Sequence, residues 1–584
     1  MAKHAALVIL LVIAAGCRSN PSEKLSKLTE EFVNTTLSFS PATATGVGLH
    51  QYQKQKLDDL LDDFSPPSLD KQKHFYEDFQ NRLHQIPLDN LTPADEADYS
   101  ILDDQTALAL LDLKEIHSAV HNPTMYVETL GNALFNLLIL EYAPKPQRIE
   151  SIMARLERVP LYLDQAATNL TASPLIWTQV ATDENQGNID LVDKTIRAQV
   201  PDNLRDRYAR VARPAMDAMG KFQTYLKNSL AARTDADWRL GQDRYTRKFR
   251  YLMEVGVEAA TTLDHAEREL KTVRSHMLEL ALPLHARMFP RHKAHEELTG
   301  EARENVVIGE VLARIADRQS TRESYMDDAK RDLEEARTYV QQQHLVTLPA
   351  KSNLQVIPTP VFMRGIYSVG GFNPAPPLEP QLGAFYWVTP IPPDWPTDRV
   401  ESKLREYNFY KLKLLTIHEA MPGHYVQMQI ANAVEPAPRR LLRSIYGNGP
   451  YIEGWAQYAE QMMLDSGFLD HSPEMALTFA KEELRVMANA ILDVRLQMLG
   501  MTDQEALDLM EKQTFQEKEE AEGKLQRAKL SSAQLPTYFA GWRGWLKVRE
   551  DYKKAKGGAY NLTMFNDTAL KEGAVPLPSL GKML

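Results

Sequence analysis

Three residues in the C-terminal half have the types and spacing of a metal-hydrolase site. His418, Glu419 and His424 occur in LLTIHEAMPGHYVQ, an otherwise apolar segment with a helical pattern. Imidazole nitrogen and carboxylate oxygen are donors that zinc prefers, and a catalytic zinc keeps one position open for water. A glutamate beside the first histidine can take a proton from that water. The pattern therefore predicts metal-assisted hydrolysis with Glu419 as the general base.

The two histidines are not four residues apart, as they are in the usual zinc-binding helix. They are six apart, and six residues rotate by about 240° around a straight helix, so the two rings could not face one ion. Pro422 cannot donate to the carbonyl of His418, and Gly423 tolerates backbone angles closed to other residues. We expect the helix to bulge or break here and to return His424 to the ion. The alternative is an ordinary helix end beside an unremarkable His-Glu pair.

A third ligand is expected further along the chain. Glu453, in YIEGWAQYAEQMM, lies 29 residues after His424, which suits a helix–loop–helix return. Gly454 permits close approach of a neighbouring backbone. Glu460 lies almost two turns beyond Glu453 on nearly the same face, where it could support a ligand from behind. One Zn²⁺ per chain is predicted, although manganese or cobalt could bind the same donors.

Two other groups of histidines have less complete patterns. His292 and His295 lie in RHKAHEEL, but no further histidine follows at helical spacing, which indicates a solvated polar connection. His117 and His121 are four apart without an adjacent acid, and a core or surface role is predicted for them.

The elements that would position the metal motif are mostly helical. Apolar residues recur at three and four positions through much of 26–285 and again from about residue 400 to near the end. Between them, LQVIPTPVFMRGIYSVGGF and GAFYWVTPIPP favour short edge strands or extended loops. A mainly α fold with a small β element before the metal-binding helix is predicted. A chain of 584 residues is longer than one hydrophobic core usually supports. We therefore expect a helical subdomain at 26–285 and a catalytic subdomain at 286–584.

The N-terminus predicts export and lipid anchoring. A short basic start precedes an apolar run over residues 5–15 and then Gly16-Cys17, in the order of a secretory signal. Cys17 is the only cysteine and stands where a lipoprotein signal carries its acylated cysteine. We predict a signal peptide at 1–16, lipidation of Cys17 and a polar tether at 17–25; the alternative is a chance cysteine after an ordinary leader. Arg18 in place of aspartate favours an outer-membrane or periplasm-facing location in the cell envelope.

The composition excludes some functions. Hydrophobic residues make up 43% and charged residues 25%, which are ordinary globular values. The formal charge is −11 and no basic surface is concentrated in the sequence, so a nucleic-acid partner is disfavoured.

HEAMPGH followed by EGWAQYAE resembles the bacterial domain-of-unknown-function family 885, which is grouped with zinc metallopeptidases of the HExxH superfamily. The resemblance covers almost the whole mature chain, from SPATATGVGLHQY at residue 40 to MFNDTALKEGAVPLPSL at residue 564. It implies a large helical metallopeptidase-like fold with a deep cleft. It also implies zinc ligands at His418, His424 and Glu453, with Glu419 as general base.

RAKLSSAQLPTYFAGWRGW resembles a further family stretch, with Ser532-Ala533 in place of its Pro-Gly. The residues that match this stretch are Arg527, Gln534, Tyr538 and Gly541. Tyr538 is therefore the expected donor to the oxyanion, and an ordinary interfacial tyrosine is the alternative. Asp493 matches another family position, whereas Gln497 and Asn566 replace family histidines.

Candidate substrate contacts are Arg527, Arg485 and Tyr386. Either arginine could bind a peptide carboxylate in bidentate fashion, or could form a surface salt bridge. GAFYWVT, which contains Tyr386, could pair with an extended substrate by strand addition, or its aromatic residues could fill the core.

The most favoured function is a zinc peptidase that acts on peptides. The first alternative is a hydrolase or amidase of small non-peptide substrates on the same site, because fold and motif do not define the pocket. The second is an inactive lipid-anchored metal-binding or scaffold protein. The replacements at Gln497, Asn566 and Ser532-Ala533 are compatible with this alternative. Retention of His418-Glu419 and Glu453 argues for an enzyme.

Overall fold

The computed structural model describes residues 20–254, 256–364 and 367–584, and it is mainly helical. The predicted signal peptide and Cys17 lie outside these residues. Within the described ranges, we find no helix with the length and apolar character needed to cross a membrane.

The first helix begins earlier than predicted. It starts at Pro21, because the side chain of Asn20 accepts a hydrogen bond from the Ser22 N–H and proline suits the first helical position. Leu25, inside the predicted tether, is buried in a core. The predicted tether at 17–25 therefore extends too far.

The N-terminal half consists of helices and one hairpin whose two strands have two residues each. Its helices are α1 (Pro21–Phe39), α2 (Pro41–Gly46), α3 (Pro66–Leu83), α4 (Pro93–Leu111), α5 (Ser118–His121), α6 (Pro123–Ile139), α7 (Lys145–Leu156), α8 (Val159–Asn169), α9 (Leu175–Asp190), α10 (Arg205–Tyr225) and α11 (Gly241–Met253). The hairpin pairs β1 (Gln51–Tyr52) with β2 (Gln55–Lys56).

The C-terminal half holds the longer helices and the candidate site. Its helices are α12 (Ala259–Met288), α13 (Gly300–Ala316), α14 (Tyr325–Gln343), α15 (Thr397–Glu406), α16 (Phe409–Glu419), α17 (His424–Ala431), α18 (Ala437–Ile445), α19 (Gly449–Asp465), α20 (Pro473–Met498), α21 (Asp503–Asp508), α22 (Lys518–Leu530), α23 (Pro536–Lys556), α24 (Leu562–Lys571) and α25 (Leu577–Met583).

The largest apolar core joins α12, α19, α20 and α23, and it also receives side chains from α11, α13 and α14. The predicted division between residues 285 and 286 falls inside α12, whose buried face belongs to this core. Two smaller cores are built mainly by the N-terminal half. One lies under α1, α3 and α4 and includes Leu441 and Leu442 of α18; the other lies among α6 to α10 and includes Phe385 and Trp387 of β5.

A three-stranded sheet lies between α14 and α15, formed by β3 (Leu354–Pro358), β4 (Gly370–Asn373) and β5 (Ala384–Val388). Strand β5 is central, parallel to β3 and antiparallel to β4, and each of its five residues is buried. Because both edges of β5 are already paired, GAFYWVT cannot accept an added substrate strand. Of the two interpretations of this segment, the structure supports the second: its aromatic residues fill the core.

Candidate metal centre

The helix that carries the first histidine breaks at the Pro-Gly pair. Helix α16 ends at Glu419 and α17 begins at His424. The N–H of Gly423 reaches back to the carbonyl of Ile417 at 2.9 Å, which folds the chain tightly over the end of α16. A Cβ on Gly423 would lie 1.9 Å from the carbonyl oxygen of His418, so no other residue fits here.

A buried tryptophan holds this break from the neighbouring helix. The indole Nε1 of Trp455 in α19 donates to the carbonyl oxygens of Pro422 at 3.0 Å and Gly423 at 3.2 Å. These carbonyls lie where helical bonding is interrupted, and the indole satisfies them inside the core. The break therefore has a fixed shape.

The break brings the two histidines to one carboxylate. His418 Nε2 and His424 Nε2 each lie 3.4 Å from the same oxygen of Glu453, Oε2. The two rings are almost perpendicular, at 88°, with centroids 4.8 Å apart. Both imidazoles are buried, and the donor atoms of all three residues lie within 4.8 Å of one another.

These three residues fit a tetrahedral zinc ion. Two donors that are each about 2.1 Å from such an ion are about 3.4 Å apart, and the two imidazole-to-carboxylate separations are 3.4 Å. Glu453 Oε2 is buried, and within the described residues it has no hydrogen-bond partner. A buried, unpaired carboxylate oxygen between two imidazoles is costly unless a cation joins them. His418, His424 and Glu453 would hold the ion.

Glu460 and Gln457 orient the first histidine. Glu460 Oε1 lies 2.8 Å from His418 Nδ1, which leaves Nε2 facing Glu453. Gln457 Nε2 donates to the same Glu460 oxygen at 3.1 Å. Because a carboxylate behind a ligating histidine fixes its ring and raises its basicity, Glu460 has the supporting position suggested by its spacing from Glu453. Gln457 lies inside the EGWAQYAE motif, but nothing in the sequence indicated a role for its side chain.

The charge balance of the site favours a cation. Burial would lower the pKa of His418, but the adjacent carboxylates of Glu453 and Glu460 outweigh it and raise the pKa to about 10. Burial would likewise raise the pKa of Glu453, but the two adjacent imidazoles hold it well below its usual range. Surplus carboxylate around the imidazoles thus stabilises positive charge.

Two glycines bring Tyr538 to the site by letting α19 and α23 cross closely. A Cβ on Gly454 would lie 2.2 Å from the carbonyl carbon of Gly541, and one on Gly541 would lie 2.0 Å from the carbonyl oxygen of Pro450. Tyr538 precedes Gly541 by almost one turn. Its ring lies 6.0 Å from that of His418, tilted by 22°.

The hydroxyl of Tyr538 is suited to donate a hydrogen bond. Burial and the nearby charge of Glu453 raise its pKa to about 12, so it keeps its proton at neutral pH. Arg527 Nη2 donates to this hydroxyl at 3.2 Å and to Gln534 Oε1 at 3.2 Å. Gln534 Nε2 in turn lies 3.5 Å from Glu453 Oε1. Tyr538, Arg527 and Gln534 therefore lie together beside the three metal-ligand candidates.

The Ser-Ala replacement is compatible with this arrangement. Ala533 has φ 58°, a left-handed conformation that favours glycine. Asp493 holds the loop by accepting from the N–H of Ala533 at 2.9 Å and of Leu535 at 3.3 Å. A buried carboxylate thus fixes the turn that starts α23 and presents Tyr538.

The two residues that replace family histidines have packing roles. Gln497 accepts from the Leu240 N–H at 2.9 Å and donates to the Ser531 carbonyl at 3.2 Å. Asn566 is buried and donates to the Leu345 carbonyl at 2.8 Å. Both side chains tie neighbouring segments together.

A cavity beside His418 and Glu419 is unusually rich in charge. Besides these two residues, its walls include the phenol of Tyr367 and the charged side chains Lys411, Glu460, Glu482, Arg485, Glu520, Lys524 and Arg527. The edge strand β4 reaches the cavity at Gly370. Tyr367 and Lys524 gave no recognisable signal in the sequence.

Two of the predicted substrate contacts are committed elsewhere. Arg485 donates to Glu482 at 3.1 Å and to Glu520 at 2.8 Å, so its guanidinium is already occupied by two carboxylates. Tyr386 is fully buried and its hydroxyl lies 3.2 Å from Thr416 Oγ1. The structure therefore does not favour either as a substrate contact. Arg527 also lines the cavity, and its guanidinium donates to the uncharged partners Gln534 and Tyr538.

Lys524 differs from the other cations of the cavity. It is 5% exposed, and burial, together with the charges of Arg485 and Arg527, holds its pKa well below the usual value. Within the described residues we find no hydrogen bond or ion pair to its ammonium group. Because burial without a partner disfavours the charged form of Lys524, an anionic group from outside the chain that enters the cavity would stabilise its ammonium.

Comparisons with known proteins agree with the family suggested by the motifs. The family model described as "Bacterial protein of unknown function (DUF885)" matches residues 41–584, so the chain belongs to this family. No functionally curated protein matches the chain.

Two solved structures share the fold. A candidate lipoprotein of unknown function from Shewanella oneidensis is 27% identical, with a TM-score of 0.76 over 96% of this chain and 99% of that chain. A candidate lipoprotein from Colwellia psychrerythraea is 17% identical, with a TM-score of 0.75 over 96% of this chain and 98% of that chain.

Proposed function

We propose that this protein is a zinc-dependent peptidase, anchored to the cell envelope by a lipid on Cys17. The observation that carries the proposal is the approach of two buried imidazoles to one unpaired oxygen of Glu453, at 3.4 Å each. The charged cavity beside Glu419 lies next to these donors. A purely structural metal site would not need an acid and a phenol facing the same space.

Bound zinc would supply polarisation of a water molecule and of the substrate carbonyl. In the proposed reaction Glu419 takes a proton from the attacking water as its oxygen forms a bond to the carbonyl carbon. Tyr538 donates its hydroxyl hydrogen bond to the oxyanion that develops on the carbonyl oxygen. Glu419 then passes the proton to the leaving nitrogen as the C–N bond breaks, which gives a carboxylic acid and an amine.

The cations of the cavity favour a substrate with a carboxylate near the cleaved bond. Lys524 and Arg527 are three residues apart on α22, so both face the cavity from one side of that helix. Arg527 is also bonded to Tyr538, which would place a bound carboxylate close to the reacting carbonyl. We propose that peptides with a free C-terminal carboxylate, or with an acidic side chain at this position, bind there.

The envelope location rests on the N-terminal sequence and on the two structural relatives. Cys17 follows a secretory signal pattern, and both relatives are described as candidate lipoproteins. Fractionation of cells that express the full-length protein or the variant Cys17→Ser would test it. Loss of the membrane-associated fraction in the variant is expected, and equal membrane association of both forms would contradict lipid anchoring.

The experiment for the activity measures zinc content and peptide hydrolysis on the same preparations. The full-length protein in detergent, His424→Ala and Glu419→Gln would each be analysed for bound zinc and for digestion of a mixed peptide library. We expect His424→Ala to lose zinc and hydrolysis together. Glu419→Gln should keep the zinc and lose about 1,000-fold in rate, because only the proton transfer is removed.

The outcomes separate the competing functions. Zinc binding without hydrolysis of peptides or simple amides would favour the metal-binding scaffold. Hydrolysis of small amides but not peptides would favour the amidase. Zinc content that is unchanged in His424→Ala would refute the metal centre itself.

A further inference from the structure

A second group of possible metal ligands lies far along the sequence from the first. His285 is on the last turn of α12, His292 and His295 are in the connection 289–299, and Glu310 is on α13. One donor atom from each of these four residues lies within 4.8 Å of the others. The connection is largely solvated, as its sequence predicts, but His292 and His295 also converge with His285 and Glu310, which the sequence pattern does not indicate.

The three imidazoles converge on one oxygen of the carboxylate. Glu310 Oε2 lies 2.8 Å from His285 Nε2, 3.2 Å from His295 Nε2 and 3.9 Å from His292 Nδ1. The ring centroids of His292 and His295 are 4.6 Å apart. A carboxylate oxygen has two lone pairs, so three imidazoles around it are more than it can readily accept hydrogen bonds from. The same three nitrogens and one oxygen are a complete tetrahedral ligand set.

The surroundings support a ligating role for two of the histidines. His295 Nδ1 lies 3.3 Å from the carboxylate of Glu297, which orients its ring so that Nε2 faces the group. His285 is fully buried, and within the described residues its Nδ1 has no hydrogen-bond partner, so its position is fixed by packing.

The backbone of the connection is shaped to bring the histidines together. His295 has φ 46°, in the left-handed region that few side chains adopt, and its N–H donates to the Lys293 carbonyl at 2.7 Å. Arg303 Nε donates to the Ala294 carbonyl at 3.1 Å, which ties the connection to α13. The chain therefore turns sharply at His295 and points its ring at Glu310.

We propose that His285, His292, His295 and Glu310 bind a second divalent transition-metal ion, with zinc as the expected ion, and that it fastens α12 to α13. Four protein donors leave no open position, which is typical of structural rather than catalytic zinc. The proposal does not depend on the peptidase function, because it uses different residues and a different part of the fold.

The test measures zinc binding to the full-length protein in detergent. Metal-free protein would be titrated with zinc against a chromogenic chelator, and bound zinc would be counted by elemental analysis. The variant is His292→Ala with His295→Asn, since asparagine tolerates the left-handed backbone of residue 295. The matched control is His276→Ala, an exposed histidine of α12 that pairs with Glu279 outside the cluster.

We expect the double variant to bind one zinc equivalent fewer than the parent, while His276→Ala matches the parent. The parent loaded with cobalt should show the visible absorption of tetrahedral coordination, and the double variant should lose that part of it. Zinc stoichiometry and affinity that are equal in the parent, the control and the double variant would overturn the proposal. If the double variant does not fold, the half-exposed Glu310→Gln replaces it with the same expectations.

His424→Ala distinguishes this proposal from the proposed function. If both sites exist, His424→Ala and the double variant each lose one equivalent, and their combination loses both. If only the second site exists, His424→Ala keeps all the zinc of the parent and the double variant loses it. Each result is read from metal content, so it does not require a substrate.

Discussion

The two histidine clusters differ in how completely the fold prepares them. At the first, both imidazole-to-carboxylate separations are 3.4 Å, which is long for a hydrogen bond and suits two ligands of one ion. At the second, the separations range from 2.8 to 3.9 Å, so part of the set is hydrogen-bonded. His418 and His424 are buried, whereas His292 is exposed. The first cluster is preorganised, and the second would need small movements of a surface connection.

Their surroundings differ in the same sense. The first cluster borders a charged cavity and has a carboxylate, an amide and a phenol behind or beside its ligands. The second has four donors and a single supporting carboxylate, Glu297. We infer that the first cluster is a catalytic site and that the second cluster is a structural site. A tight, supported site with one position open suits turnover, whereas a closed set between two helices suits stability.

The largest expected effect is that of Gly423→Ala. The new Cβ would meet the carbonyl oxygen of His418, so the break would open and His424 would leave the group. The variant should lose zinc at the first site, and its hydrolysis rate should fall by about 1,000-fold, because the metal supplies most of the electrostatic stabilisation of the transition state. The measurements are bound zinc and hydrolysis rate.

The matched control is Gly309→Ala, beside Glu310 of the second cluster. Outside its own helix no heavy atom lies within 4 Å of the added Cβ, so both zinc sites should remain and the free energy of unfolding should rise by about 0.5–1 kcal/mol. Equal zinc content in Gly423→Ala and Gly309→Ala would contradict the role assigned to the break.

The next effect in size is that of Tyr538→Phe. Removal of the hydroxyl that faces the oxyanion should lower kcat by about 100-fold. KM and the zinc content of both clusters should stay close to those of the parent, because the ring and its packing are kept. Steady-state kinetics with elemental analysis would measure this. An unchanged kcat would show that Tyr538 is an ordinary interfacial tyrosine that does not stabilise the oxyanion.

Much of the first site could be predicted from the sequence, because its information is local. Pro422 and Gly423 lie between the two histidines, so the break follows from two residues whose backbone properties are known. Glu453 and Glu460 share one helix face by simple periodicity. The mainly helical fold follows from the apolar repeats in the same way.

The features that were missed depend on partners distant in sequence. The pattern of GAFYWVT indicates a strand, but it does not indicate that β3 and β4 pair with both edges of that strand. Because both edges are paired, Tyr386 lies in the core. Arg485 lies in a helix, and nothing nearby indicates that Glu520 approaches it from α22. His285 and Glu310 are 25 residues apart and converge only because the connection turns at His295.

A smaller effect is expected when the support behind the first cluster is weakened. Glu460→Gln keeps the hydrogen-bonding shape beside His418 but removes the charge, so zinc affinity at the first site should fall by about 10- to 100-fold. The second site should be unaffected. Glu310→Gln, which replaces a proposed ligand, should lose zinc at the second site and leave the first site unaffected. Chelator competition on both variants measures the two affinities, and a change at the same site in both would contradict their independence.

The smallest effect concerns the unpaired cation of the cavity. Lys524→Met removes the proposed partner of a substrate carboxylate, so KM for a peptide with a free C-terminus should rise by about 10-fold, the loss of one charged hydrogen bond. The same peptide with an amidated C-terminus should show no rise. The exposed Lys518→Met, on the same helix, is the control and should match the parent.

Stability separates this role from simple packing. Because Lys524 is buried without a partner in the described structure, its replacement by methionine should keep or raise the melting temperature. A variant with higher KM for the free peptide, unchanged kcat and undiminished stability would show that a buried charge is retained for binding. Equal effects on the free and the amidated peptide would show instead that Lys524 shapes the cavity without recognising a carboxylate. The second cluster provides the reference, since its zinc content should not respond to this substitution.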